Sequence, residues 1–210
     1  MWLMAYVGID VGGDRIHCVA VDASAHLVDA GLLAAADIAL AVEWAAGATT
    51  VAIDAPAALS TAPHGDEAGR RSAKFRFARC AEIDLSERLG IWVPWVTPRN
   101  LESCRPWMQV GLRLFEAFAA AGQPAIEVYP HGAFSILAGT PLPKKTTPAG
   151  ILARAAVLER LGIDDRRLRL WSHDSLDAAI SAVVARDQAE GRARPAGCGH
   201  DASTIWLPAA

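Results

Sequence analysis

Three short apolar runs in this chain end in or contain a carboxylate: Tyr6-Val7-Gly8-Ile9-Asp10, Thr50-Val51-Ala52-Ile53-Asp54 and Ala125-Ile126-Glu127-Val128-Tyr129. Runs of this length, bounded by turn signals, read as buried strands. A carboxylate is costly to bury unless it is paired or holds a cation. Such a chain must therefore fold so that its acids meet compensating charge. If the three strands are neighbours, the acids converge at one edge of the sheet. Asp174 and Asp177 open a late helical stretch, His173-Asp174-Ser175-Leu176-Asp177. Three residues apart on a helix, both can face one side. The small residues that follow, Ala178, Ala179, Ser181 and Ala182, let that helix lie close to a sheet.

The remaining segments supply the frame. Arg15 to Val21 and His26 to Leu33 read as strands joined by Gly12-Gly13-Asp14 and Asp22-Ala23-Ser24-Ala25, an antiparallel meander with the first strand. Ala35 to Ala46 reads as a helix with Ile38, Val42 and Ala45 on one face, and Asp37 complements its dipole. Residues 55–100 lack a clear period. Ala55-Pro56 starts an irregular stretch through Pro63-His64-Gly65, Arg70 to Glu87 is charged and partly helical, and Pro94 argues against a central strand in Ile91 to Val96. Arg105 to Ala121 reads as a helix ending at Gly122. The fifth strand, Ala125 to Tyr129, is closed by Pro130, and Thr147 caps a helix with Pro148 at its first position. The last helix spans Asp174 to Ala189, and the tail after Gly191 reads as irregular. This order gives an α/β fold with a mixed sheet, strands one, four and five side by side in parallel, and helices on both faces. Without internal repeat or linker, residues 1–210 read as a single domain.

At 52% hydrophobic the chain has ample core material, and a net charge of −3 excludes a global field that favours nucleic acid. Such a partner needs a local basic patch. The segment Arg70 to Arg79 holds five cations and two phenylalanines; balanced by Asp66, Glu67, Glu82 and Glu87, it also reads as a solvated face. Trp92, Trp95 and Trp107 offer base stacking, core packing or a subunit contact, the last making a homodimer an expectation. Cys18, Cys80, Cys104 and Cys198 form no C-x-x-C pair and read as a reduced set. Cys198-Gly199-His200 has no second pair, so no zinc site is expected. The N-terminus lacks a basic leader, and the longest apolar stretch carries Asp37 and Glu43. The expected location is the cytoplasm, with no membrane partner.

The order of elements resembles the ribonuclease H-like fold, which carries acids on its first and fourth strands and on its last helix. More narrowly, the chain is similar to domain of unknown function family 429, described as predicted nucleases of that fold. The resemblance rests on Gly8-Ile9-Asp10, Ala52-Ile53-Asp54-Ala55-Pro56, Glu127-Val128-Tyr129-Pro130 with Phe134, Lys144-Lys145-Thr146, and Asp174-Ser175-Leu176-Asp177-Ala178. It departs in two places: Arg79-Cys80-Ala81-Glu82 stands for the family's acid-and-arginine segment, and His131-Gly132 follows Pro130 where the family tends to have an acid. The resemblance implies a five-stranded mixed sheet, an antiparallel meander followed by parallel strands, and metal-dependent nuclease activity.

The residues allow that chemistry. Two divalent cations about 4 Å apart need carboxylates that bridge and flank them. Asp10 is the natural bridging acid, Asp54 and Glu127 come from neighbouring strands, and Asp174 and Asp177 come from the helix. Oxygen-only ligands suit Mg2+ or Mn2+. Lys144 and Lys145, in a Pro/Thr loop, and Arg79 are candidates for a substrate phosphate, and His173 for a proton shuttle. Other readings stand beside this one. Asp54 before Ala55-Pro56 fits a turn acid, and Asp174 fits an ordinary helix N-terminus. Gly8-Ile9-Asp10-Val11-Gly12-Gly13 looks like the first phosphate loop of sugar-kinase and actin-like proteins, although no second Asp-Gly-Gly loop follows. A non-catalytic scaffold of the same fold is the third reading.

Overall fold

The computed structural model describes residues 5–61 and 72–209. Five strands, β1 (Tyr6–Val11), β2 (Arg15–Val21), β3 (Leu27–Ala34), β4 (Thr50–Asp54) and β5 (Ala125–Glu127), form one sheet in the order β3-β2-β1-β4-β5. The first three pair antiparallel. β4 runs parallel to β1, and β5 parallel to β4. This is the mixed, ribonuclease H-like arrangement that the sequence led us to expect. The Gly12-Gly13 turn closes the β1–β2 hairpin, with the Gly12 amide donating to the Arg15 carbonyl at 2.8 Å.

Alternation along the central strands builds two cores. Val7, Ile9, Val11, Val51 and Ile53 pack on one face against α1 (Ile38–Trp44) and α3 (Pro106–Ala120), chiefly through Ala41, Leu114 and Phe118. Tyr6 and Ala52 face the other way, onto α6 (His173–Ala189), which is backed by α4 (Pro130–Ala138) and α5 (Pro148–Arg160). With layers on both faces, all six residues of β1 are buried.

Helix α6 is itself surrounded: Leu176, Ile180, Val183 and Val184 are fully buried. Each of these contributes roughly 1.5–3 kcal/mol by leaving water. The helix can reach the sheet because of Gly8. A Cβ there would lie 2.0 Å from the Ala178 carbonyl oxygen and 2.2 Å from the Ala182 nitrogen. The backbones of β1 and α6 are thus in direct contact.

Several elements differ from the sequence reading. Pro130, taken as the end of the fifth strand, is the first residue of α4, where its missing N–H costs nothing. The tail is not irregular throughout: β6 (Arg194–Ala196) pairs antiparallel with β7 (Ile205–Leu207). Both pack with α2 (Cys80–Glu87) in a third cluster of Ala81, Leu85, Ile91, Val93, Ala196, Ile205 and Leu207. The stretch Arg70 to Glu87, expected to be partly helical, is helical from Cys80 to Glu87. Arg70, Arg71, Asp66, Glu67 and Pro63-His64-Gly65 lie outside the described residues. The cysteines are not all reduced. Cys80 and Cys198 are joined in a disulfide, their Cα atoms 5.1 Å apart, which ties α2 to the tail; Cys18 and Cys104 are free and buried. Among the described residues, no helix is long and apolar enough to cross a membrane.

Candidate metal centre

Asp10 and Asp54 are direct register partners at the carboxyl ends of the parallel strands β1 and β4. Residues so paired share a face of the sheet, here the face of Gly8 and Ala52, onto which α6 packs. Asp177 sits one residue before Ala178, whose carbonyl rests over Gly8. The close approach at Gly8 therefore delivers the Asp177 carboxylate to the strand ends. Ligand oxygens of Asp10, Asp54 and Asp177 all lie within 4.8 Å of one another.

Little offsets their charge. Asp10 is 4% exposed and Asp177 2%, while Asp54 is partly open to solvent. Lys145 Nζ donates to Asp177 Oδ2 at 2.5 Å. Asp177 Oδ1 is buried and has no hydrogen-bond partner. Burial, with the Asp54 and Asp177 carboxylates added, holds Asp10 well above the usual carboxylate range. Burial and then Asp177 push Asp54 up to about 7. Asp177 is raised by burial, with Lys145 pulling it back. Burial acts to discharge Lys145, but the facing acids, Asp177 first, outweigh it and hold the ammonium charged.

His173, Asp174 and Asp177 form a second group within the same 4.8 Å limit. Asp177 is the residue common to both groups, where the sequence pointed to Asp10 as the bridging acid. The pair opens α6, whose Ser172 cap accepts from the Ser175 amide at 3.0 Å. Behind Asp174 stands His17 of β2, its Nε2 3.9 Å from Asp174 Oδ2 and its Nδ1 3.1 Å from Ser175 Oγ.

Glu127 lies outside both groups. It pairs in register with Ile53, and so with the α3 face rather than the face of Asp54. There the Arg79 guanidinium grips it, Nη1 and Nη2 each donating at 2.6 Å. Burial raises Glu127 while Arg79 lowers it. The guanidinium also donates to Glu82, from Nε at 3.1 Å and Nη2 at 3.0 Å. Thr97 completes Glu82 with its amide and hydroxyl, at 2.9 and 2.5 Å. Arg79, expected at a substrate phosphate, is 3% exposed and fully engaged in this cluster. Its role here is to neutralise two buried glutamates.

The three aspartates lie in a cavity of about 590 Å3. Lys144, Lys145 and Arg154 line it as well, together with Trp92, Trp95 and Trp107. The segment with the lysines is shaped by a tight loop. Thr147 caps α5, accepting from the Gly150 amide at 3.1 Å, and its hydroxyl donates to the Lys144 carbonyl at 2.7 Å. Gly150 permits this, because a Cβ there would lie 2.0 Å from that same carbonyl oxygen. Arg154 had no sequence signal beyond being a cation in a helix. It is 2% exposed, donates to the Pro143 carbonyl at 3.0 Å, and keeps a buried Nε without a partner.

A model of a protein family of unknown function (DUF429) matches residues 107–199. The resemblance to that family is thereby borne out over this stretch, which holds Glu127, Lys144, Lys145, Asp174 and Asp177 but not Asp10 or Asp54. No curated protein matches the chain. Among solved structures, RuvC of Thermus thermophilus aligns at 15% identity with a TM-score of 0.45, covering 90% of this chain and 97% of RuvC. A structure titled T. thermophilus RuvC in complex with Holliday junction substrate aligns at 14% identity and TM-score 0.42, with the same coverage.

Proposed function

We propose that this chain, acting as one unit over residues 1–210, is a divalent-cation-dependent phosphodiesterase that cleaves nucleic acid. The observation that carries the reading is the Asp10–Asp54–Asp177 group, three mutually close carboxylates, one of which keeps a buried oxygen without a hydrogen-bond partner. Repulsion that raises the acids' pKa values and an orphaned Oδ1 have a common remedy in a small, hard cation. Oxygen ligands lining an open cavity suit Mg2+ or Mn2+, which keep several waters. Asp10, Asp54 and Asp177 would hold the ion, and Asp174 with His173 would flank a second beside Asp177.

A bound ion supplies charge stabilisation to phosphodiester oxygens and lowers the pKa of an attacking water. The chain's residues do the rest. Lys145 fixes Asp177 through Oδ2, leaving Oδ1 free for the centre. Lys144, exposed and lining the same cavity, is free to meet a phosphate as it arrives. The two lysines supply cations at a point where charge develops in the reaction.

Calorimetric titration of Mn2+ into the wild type, Asp10→Asn and Asp177→Asn tests the reading without a guess about substrate. Wild-type binding, lost in both variants while their circular dichroism is unchanged, is the expected result. Flat wild-type titrations, with and without an oligonucleotide, would sink it in favour of the scaffold.

A further inference from the structure

The cavity above the carboxylates is unusual in its rim. Trp92 is 67% exposed and Trp95 46%, the positions where solvent contact is most costly for a large ring. Each has a defined neighbour. The Trp92 backbone carbonyl accepts from the Tyr129 hydroxyl at 2.8 Å, and the Trp92 ring stands edge-on to His131 with centroids 6.0 Å apart at 80°. The Arg105 guanidinium covers one face of Trp95, 3.5 Å from the ring centroid. Both tryptophans thus line the cavity and keep aromatic surface exposed.

Carboxylates, the cations Lys144, Lys145 and Arg154, and the exposed indoles line this one cavity, so it presents three chemistries at single-nucleotide scale. The volume falls in the range of small-molecule pockets. We infer that the Trp92–Trp95 rim is a stacking subsite for an unpaired base, so that the substrate is a single strand or a splayed nucleotide rather than intact duplex. In a duplex the base faces are covered by their neighbours, so an indole can stack on a base only where the duplex is opened. An unpaired nucleotide offers both groups at once: its phosphate meets the lysines and the carboxylate centre, and its base lies on an indole. Stacking is tolerant of base identity because every base has a π-face. The inference rests on the phosphodiesterase reading for where the phosphate sits, and on the rim for where the base sits.

The test is fluorescence anisotropy of the full chain in Ca2+, with labelled single strands and blunt duplexes of one length, in DNA and RNA forms. Single strands are expected to bind at least about tenfold more tightly than duplex. Trp92→Ala and Trp95→Ala should each weaken single-strand binding roughly fivefold to a hundredfold, the span of one base–aromatic stack, and leave duplex binding unchanged. Trp92→Phe should recover most of the loss, which a merely misfolded loop would not. Duplex binding as tight as single-strand binding, or single-strand binding indifferent to both alanine variants, overturns the inference. So does a dimer in sedimentation velocity that Trp92→Ala disperses, since the rim would then belong to a second copy of the chain. Mn2+ calorimetry on the same variants separates the two readings. Metal binding without strand preference removes the stacking subsite alone, whereas tryptophan-dependent strand binding without metal removes the phosphodiesterase alone.

Discussion

Two buried clusters of acids sit at the carboxyl ends of the central strands, and they are built on opposite terms. On the α3 face, Glu82 and Glu127 share Arg79, and further donors come from the Thr97 amide and hydroxyl and the Ala57 amide. On the α6 face, three aspartates share one lysine and leave an oxygen unpartnered. Burial costs both clusters, but only the first is satisfied from within. A satisfied cluster fixes structure; an unsatisfied one is held in tension by the fold around it and is open to a ligand that relieves it. The difference gives Arg79 a structural part, and it is the ground on which we propose the aspartates as the chemical centre.

The sharpest way to break this contrast is to remove one charge from each side. Arg79→Met leaves two buried glutamates uncompensated and should cost about 3–5 kcal/mol, read as a large drop in the denaturant midpoint. Asp54→Asn should do the reverse, and pH shows it. The folded pKa of about 7 lies above the unfolded value of 3.8. Between those values the native state binds more protons than the unfolded one, so stability of the metal-free protein falls as pH rises through the window and levels off above it. The loss should be on the order of a few kcal/mol at most. Asp54→Asn should flatten that part of the curve, and a saturating divalent ion should restore stability above neutral pH. A wild-type profile flat over this window would remove the claim of tension. The smallest effect is expected from Lys145→Met. Without its ammonium the centre carries more negative charge, so Mn2+ should bind a few-fold more tightly by calorimetry while turnover of an oligonucleotide declines. Weaker Mn2+ binding would make Lys145 a support of the site instead of a competitor for it.

Much of the aspartate cluster was legible in the sequence because its signals are local. Apolar runs stopped by Asp10 and Asp54 announce strand ends, and the small residues after Asp177 announce a helix that packs closely. Glu127 carried the same kind of signal and lies elsewhere, because the face of a strand depends on register with its neighbour, which no single run contains. Arg79 reads from the sequence as a candidate for a substrate phosphate because Glu127, which it grips alongside the nearby Glu82, is 48 residues away. The Cys80–Cys198 bond spans 118 residues and was equally invisible. β6 and β7, at three residues each, are too short to show a period, and Pro130 reads the same whether it ends a strand or starts a helix.

Gly8 touches no ligand, yet it sets the geometry of the centre more directly than any acid does. It works as a shim of zero thickness between strand and helix, and the ruler it defines is read at Asp177. Any side chain at position 8 adds its own width to the gap, lifting Asp177 from Asp10 and Asp54 while every carboxylate remains in the sequence. A chain of this pattern with a larger residue there would keep all the acids of the site and lose the spacing that makes them one.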